Sequence, residues 1–174
     1  MRAANTLAVP ILTTALFGLA PPAPSSAPAA RLETSVQGPL FSAGDRPLYP
    51  GGPPNVRLAA LSYHGPTAAA LVLYVSDFVP RTAASAASCT APDLGRLVRF
   101  EVEQDGLTSY AGSIGEFAKV HGAPSTALAL LSPRGGGWYD GDRTIVSLSV
   151  SLEPAADNSA MGCVAAADIH WVAG

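Results

Sequence analysis

The chain has 174 residues, 13% charged and 48% hydrophobic, with a net charge of −3 and a single lysine, Lys119. The charged share is about half that of an ordinary soluble domain, and no cluster of cations is present to neutralise a nucleic-acid backbone. The length bounds the chain to one or two domains.

Residues 1–30 read as a signal peptide followed by a Pro/Ala-rich spacer. Arg2 supplies a thin positive start, and Leu7 to Ala20 is an apolar run of signal-peptide length, too short to span a bilayer and interrupted by Pro10. Small residues at Ala27 and Ala29 predict cleavage near Ala29 or Ala30. No cysteine follows the run to take a lipid, and no second long apolar run appears. The expected location is extracellular or on the cell surface, with residues 31–174 as a single domain.

That domain alternates between extended runs and turn clusters. Arg31 to Ser42 predicts a first strand, weakened by Gly38-Pro39, and residues 43–54 form a connection dense in Pro and Gly. Asn55 to Tyr63 predicts a strand with Val56, Leu58 and Ala60 on one face. His64-Gly65-Pro66 is a turn, and Thr67 to Phe78 predicts a central strand, apolar on both faces and ended by Val79-Pro80. A small-residue loop holding Cys89 leads to the strand 96–104, with Val98, Phe100 and Val102 inward. Asp105-Gly106 is a hairpin signal, returning along Leu107 to Ser113. Ile114 to Val120 predicts one or two helical turns, ended by His121-Gly122. A short apolar run at 125–131 and a glycine-rich turn at 133–142 follow.

The C-terminal third is the most regular part. In Arg143 to Pro154, Val146, Leu148, Val150 and Leu152 alternate with Ile145, Ser147, Ser149 and Ser151, the period of a half-buried strand. After a polar loop, Cys163, Ala165, Ala167, Ile169 and Trp171 share one side of a closing strand, with Asp168 outward. The loop is too short for a helical crossover, so these two strands are antiparallel neighbours or lie in facing sheets. Seven or eight strands with turns between them predict an all-β, antiparallel β-sandwich of jelly-roll or immunoglobulin-like type with one short helix.

Chemistry-bearing residues are few. Cys89 and Cys163, in an exported chain, predict a disulfide that closes a loop of about 74 residues and contributes roughly 4 kcal/mol; two buried thiols are the alternative. The histidines, His64, His121 and His170, stand far apart, and there is no HExxH pattern or G-x-S-x-G elbow. Asp140-Gly141-Asp142 and Asp157-Asn158 read as turn chemistry, with calcium as the alternative. Trp138 and Tyr139 form either a binding surface for polysaccharide or a cover packed over the end of the sandwich. The expectation is no enzyme, no catalytic residue, no metal and no cofactor.

The stretches GPLFSAGDRPLYPGGPPNVRLAAL, GPTAAALVLYVSDF, YAGSIGEFA and YDGDRTIVSLSVSLEPAADNSAMGCVAAADIHWVAG resemble the TasA/camelysin family of secreted bacterial surface and biofilm-matrix proteins, over roughly residues 33–172. The resemblance lies in strand periodicity and turn residues. It implies a secreted structural protein that polymerises into extracellular fibres by lending an N-terminal strand, here within Arg31 to Ser42, to a neighbour. Its partner is then another copy of itself or another surface protein, with no nucleic acid and no membrane span in the mature chain. The resemblance also implies a zinc metallopeptidase, for which this sequence has no ligand pattern. A glycan- or protein-binding module is the remaining alternative.

Overall fold

The computed structural model describes residues 29–36, 41, 45–82, 93–160 and 163–174. The expected signal segment and Cys89 fall outside these residues, apart from Ala29 and Ala30. Among the described residues eight strands form two antiparallel sheets, an all-β sandwich as the periodicity predicts. In chain order the strands are β1 (Arg31–Thr34), β2 (Asn55–His64), β3 (Leu71–Thr82), β4 (Val98–Gln104), β5 (Leu107–Ser113), β6 (Leu128–Ala129), β7 (Arg143–Leu152) and β8 (Cys163–Ala173). The five-stranded sheet has the order β1-β2-β7-β4-β5, and the three-stranded sheet has the order β6-β3-β8. The two C-terminal strands therefore lie in facing sheets, β7 at the centre of the larger and β8 along β3 in the smaller.

The inward side chains follow the period of two. Val98, Phe100 and Val102 of β4 and Val146, Leu148, Val150 and Leu152 of β7 are buried as expected, facing Leu71, Leu73 and Val75 of β3. Ile169 and Trp171 of β8 pack against the same core from the smaller sheet. On β2 the buried residues are Ala59, Leu61 and Tyr63, whereas Val56 and Leu58 are 44% and 62% exposed. Both faces of β2 are apolar, and the larger inward pair, Leu61 and Tyr63, takes the core. The Tyr63 hydroxyl donates to the Thr67 carbonyl at 2.8 Å.

Several strand bounds differ from expectation. β3 runs to Thr82, past Pro80, after a register shift between Ser76 and Val79 where Asp77 takes φ 50°. β6 pairs only with Val72 and Leu73, so beyond Leu73 one side of β3 has no strand among the described residues. A half-paired strand is where a residue without an N–H is tolerated. Of the expected 31–42 strand, residues 31–34 form β1 and residues 37–40 and 42 lie outside the described residues, while the run 125–131 yields only the two-residue β6.

The Asp105-Gly106 hairpin forms with φ 48° and 84°, both left-handed, as a tight two-residue turn requires. Helix α1 (Leu94–Leu97) is a single turn preceding β4, and α2 (Ile114–Val120) is the predicted helix. Ser113 caps α2, its Oγ accepting from the Glu116 N–H at 3.2 Å. Phe117 is fully buried and meets Phe100 edge-on at 5.0 Å. The His121 carbonyl accepts from Val75 N at 3.0 Å, so the end of α2 caps the side of β3 that β6 leaves open.

A candidate assembly edge at the N-terminal strand

β1 is the outermost strand of the larger sheet and pairs with β2 through Arg31↔His64, Leu32↔Tyr63, Glu33↔Ser62 and Thr34↔Leu61. Only Leu32 of the four is partly buried, and it packs against the core. Just past the strand, Ser35 N donates to the Ala60 carbonyl at 3.0 Å, and Ala60 N donates to Ser35 Oγ at 2.9 Å. From Asn55 to Ala59 no strand among the described residues pairs with that edge of β2.

A chain of charges lies on the outward face of this pairing. Arg31 reaches Glu33 at 3.4 Å, Glu33 Oε2 stands 4.0 Å from His64 Nε2, and His64 Nδ1 stands 3.4 Å from Asp140. The glycine-rich turn puts Asp140 there. Gly141 N donates to the Tyr63 carbonyl at 2.9 Å, and Tyr63 N donates to the Asp142 carbonyl at 3.0 Å. The buried Asp142 carboxylate accepts from Tyr139 N at 2.8 Å and from Arg134 at 2.9 Å, closing the turn on itself. The sequence reads His64 only as a turn residue. Its two carboxylate neighbours come from a strand some thirty residues before it and a turn some seventy-five after it, and no spacing signals that meeting.

The other singled-out residues lie elsewhere. Trp138 is 1% exposed, bridged to Ala69 by paired backbone hydrogen bonds of 3.0 and 2.8 Å, with its indole N–H donating to the Leu130 carbonyl at 3.3 Å. Of the two readings of this pair, Trp138 takes the packed one, and only Tyr139, 43% exposed, stays at the surface. Cys163 opens β8 half-buried, while its expected partner Cys89 lies outside the described residues. Asp157 accepts from Ser159 N at 2.8 Å, and hydrogen bonds from Ser159 hold its carboxyl below the usual range, as a turn aspartate.

The three histidines do not converge. His121 Nδ1 donates to the Thr126 carbonyl at 2.7 Å, and its ring packs 4.8 Å from Phe117. His170 stacks on Tyr74 at 4.5 Å and meets Ser76 Oγ at 2.8 Å on the outer face of the smaller sheet. Ser76 also lies 3.0 Å from Asp77 Oδ2. If its one proton goes to that carboxylate, His170 is the donor to Ser76 and does not activate it. No group of three or more His, Cys, Asp or Glu able to hold a metal occurs among the described residues.

A cleft of about 980 Å³ opens where α1 meets α2, lined by Phe78, Arg96, Tyr110, Glu116 and Lys119 among others. Burial, and then the negative charge of Glu116, pushes the Tyr110 phenol up from its ordinary value. Among the described residues the cleft has mixed charges and no nucleophile paired to a base. No helix among the described residues is long and apolar enough to cross a membrane. Compared with models of known families and with curated proteins, the chain matches none.

Proposed function

We propose that this is an exported, non-enzymatic structural protein that joins copies of itself by exchanging β1. The observation that carries the reading is that, among the described residues, β2 is only partly covered along this edge. This strand is ten residues long, and β1 occupies only Leu61 to His64 of its edge. An edge with unpaired N–H and C=O groups recruits another strand. Val56 and Leu58 stand exposed beside the part that no described strand covers, giving an added strand apolar neighbours. The segment Arg31 to Ser42 is long enough to pair with the whole of β2, and the one partly buried side chain of β1, Leu32, can be replaced by a neighbour's. Every contact β1 makes to its own β2 can be remade to a neighbour's, so exchange is near-neutral per contact and adds the pairing along Asn55 to Ala59.

In this reading residues 1–30 direct export, and Cys89 bonds to Cys163 once outside the cell. Trp138 is buried and offers no exposed ring face, which favours the structural reading over a glycan-binding one. The test is negative-stain electron microscopy of the purified protein at neutral pH, with and without residues 31–42. Filaments or oligomers that vanish on deletion support exchange, and a monomer at all concentrations refutes it.

A further inference from the structure

We infer that the outward face of the larger sheet is a second self-association surface, on which another copy of this chain packs face to face about a two-fold axis at Leu58. Where an antiparallel sheet has one face in water, its outward positions are polar. On β4, Arg99, Glu101 and Glu103 alternate with the buried residues, and on β7 Ser147, Ser149 and Ser151 do the same. β2 breaks this pattern. Val56, Leu58 and Ala60 point outward and are exposed, and Ile145, opposite Ala60 in register, is 52% exposed beside them. The four make one apolar patch on an otherwise polar face. A strand apolar on both sides has the composition of a strand covered on both sides.

The strand register selects a second copy as the occupant. A two-fold axis in the interface, perpendicular to the strands and through Leu58, lays β2 on β2 and β7 on β7. The two Leu58 side chains then meet on the axis. Val56 faces the second copy's Ala60, and Ile145 faces the second copy's Ser149, large against small in both columns. An axis along β7 would instead lay Val56 and Leu58 on Glu101 and Glu103 and strip water from the carboxylates. At about 3.3 Å per residue and about 4.8 Å between strands, the face measures about 600 Å², so two copies bury about 1,200 Å², the lower end for a specific interface. One pair opposes the contact: Glu103, level with Leu58 through Ser147, faces the second copy's Glu103 at the rim. Salt screens that repulsion, so the contact tightens as ionic strength rises. The surface does not depend on β1, because β2 lies between β1 and the β7 strand that carries Ile145.

The experiment is sedimentation equilibrium of the purified protein at neutral pH, as wild type, Ile145→Thr, Ile145→Glu and Leu107→Glu, with ¹³C-methyl spectra of Val56, Leu58 and Ile145 over the same concentrations. Ile145→Thr keeps a β-branched side chain and changes no charge. Leu107 is as exposed as Leu58 but pairs with the inward Gln104, off the outward face. The wild type should self-associate, with the three methyl signals moving as concentration rises. Ile145→Glu should weaken association about ten-fold or more, Ile145→Thr about three-fold, and Leu107→Glu not at all. Association should tighten between about 50 mM and about 500 mM salt. Association unchanged in both Ile145 variants, methyl signals that do not move, or a contact that salt weakens overturns the face. Association that ignores Ile145 but disappears when residues 31–42 are removed sinks the face and leaves strand exchange standing. An Ile145-dependent contact that survives the removal, with no filament in the full-length protein, sinks strand exchange as the function and leaves the face.

Discussion

Gln104 is the inward residue at the end of β4, 3% exposed, and it acts as a short piece of strand. Its Oε1 accepts from Leu131 N at 2.8 Å, while its Nε2 donates to the Leu131 carbonyl at 2.6 Å and to Thr144 Oγ1 at 3.2 Å. The side chain thus pairs with the backbone just past β6 and links the two sheets. Gln104→Glu changes no volume, so no cavity term enters. It replaces two donated hydrogen bonds by a carboxylate oxygen facing a carbonyl and a hydroxyl whose proton already goes to Asp105 at 2.6 Å. Loss of buried hydrogen bonds costs about 1–3 kcal/mol, more where a charge is involved, so about 3 kcal/mol is expected at pH 7. With a urea m-value of about 2 kcal/mol/M, the midpoint should fall by about 1.5 M. Burial against a carbonyl raises the folded-state pKa of the new carboxyl above its unfolded value of about 4.3. The destabilisation is therefore small below about pH 4, where the acid proton can serve the Leu131 carbonyl, and grows as pH rises through the folded-state value. A variant within 0.5 kcal/mol (about one-quarter molar in midpoint) of wild type at pH 7, or a loss independent of pH, would refute this account of Gln104.

Substitutions at two further positions test the turns and helices that frame the sandwich. Asp105 holds a left-handed turn position at φ 48° and accepts from Thr144 Oγ1 at 2.6 Å and Ile145 N at 3.0 Å; Asp105→Ala should cost about 2 kcal/mol by urea denaturation, and Asp105→Asn about half of that. Gly115→Ala would raise stability by about 1 kcal/mol if helix propensity decided it. The added Cβ would stand 3.1 Å from the Gly95 carbonyl carbon and oxygen, and Gly95 is itself backed by the Phe78 ring, so the melting temperature should fall.

What was legible in the sequence was whatever local pattern decides. The phase of β4 and β7, the bounds of β5 and α2, and the Asp105-Gly106 turn follow from one apolar face, a Ser113/Glu116 cap and a dipeptide suited to left-handed dihedrals. Where both faces carry apolar residues, phase is set by packing. Val56, Leu58 and Ala60 form as good a stripe as Ala59, Leu61 and Tyr63, and the register of Ala59 on Val146 decides between them. Pro80 reads locally as a stop, yet β3 tolerates it because the missing partner is a matter of sheet order. Trp138 beside three glycines reads equally as a surface or a plug, and its bridge to Ala69, distant in sequence, makes it a plug. The contacts of His64 with Glu33 and Asp140 belong to the same class, created by topology alone.

The same topology argues for which edge would take a second copy. β5, the far edge of the larger sheet, carries a bulge opposite Val102–Glu103 and runs directly into α2, which packs against it; both features disfavour an added strand. β8 is eleven residues long and pairs with β3 on one side, but Asp168 stands exposed on it, and β1 packs alongside. β1 therefore touches both sheets at once. Its departure would uncover the rest of the β2 edge and the flank of β8 together, leaving a groove that a replacement must fill with an apolar side chain where Leu32 packs on the core. To restore the charge chain, the replacement must also put a carboxylate one residue later, opposite Ser62 and beside His64. The sequence Arg31-Leu32-Glu33-Thr34 of another copy meets both requirements, and a strand of reversed phase meets neither.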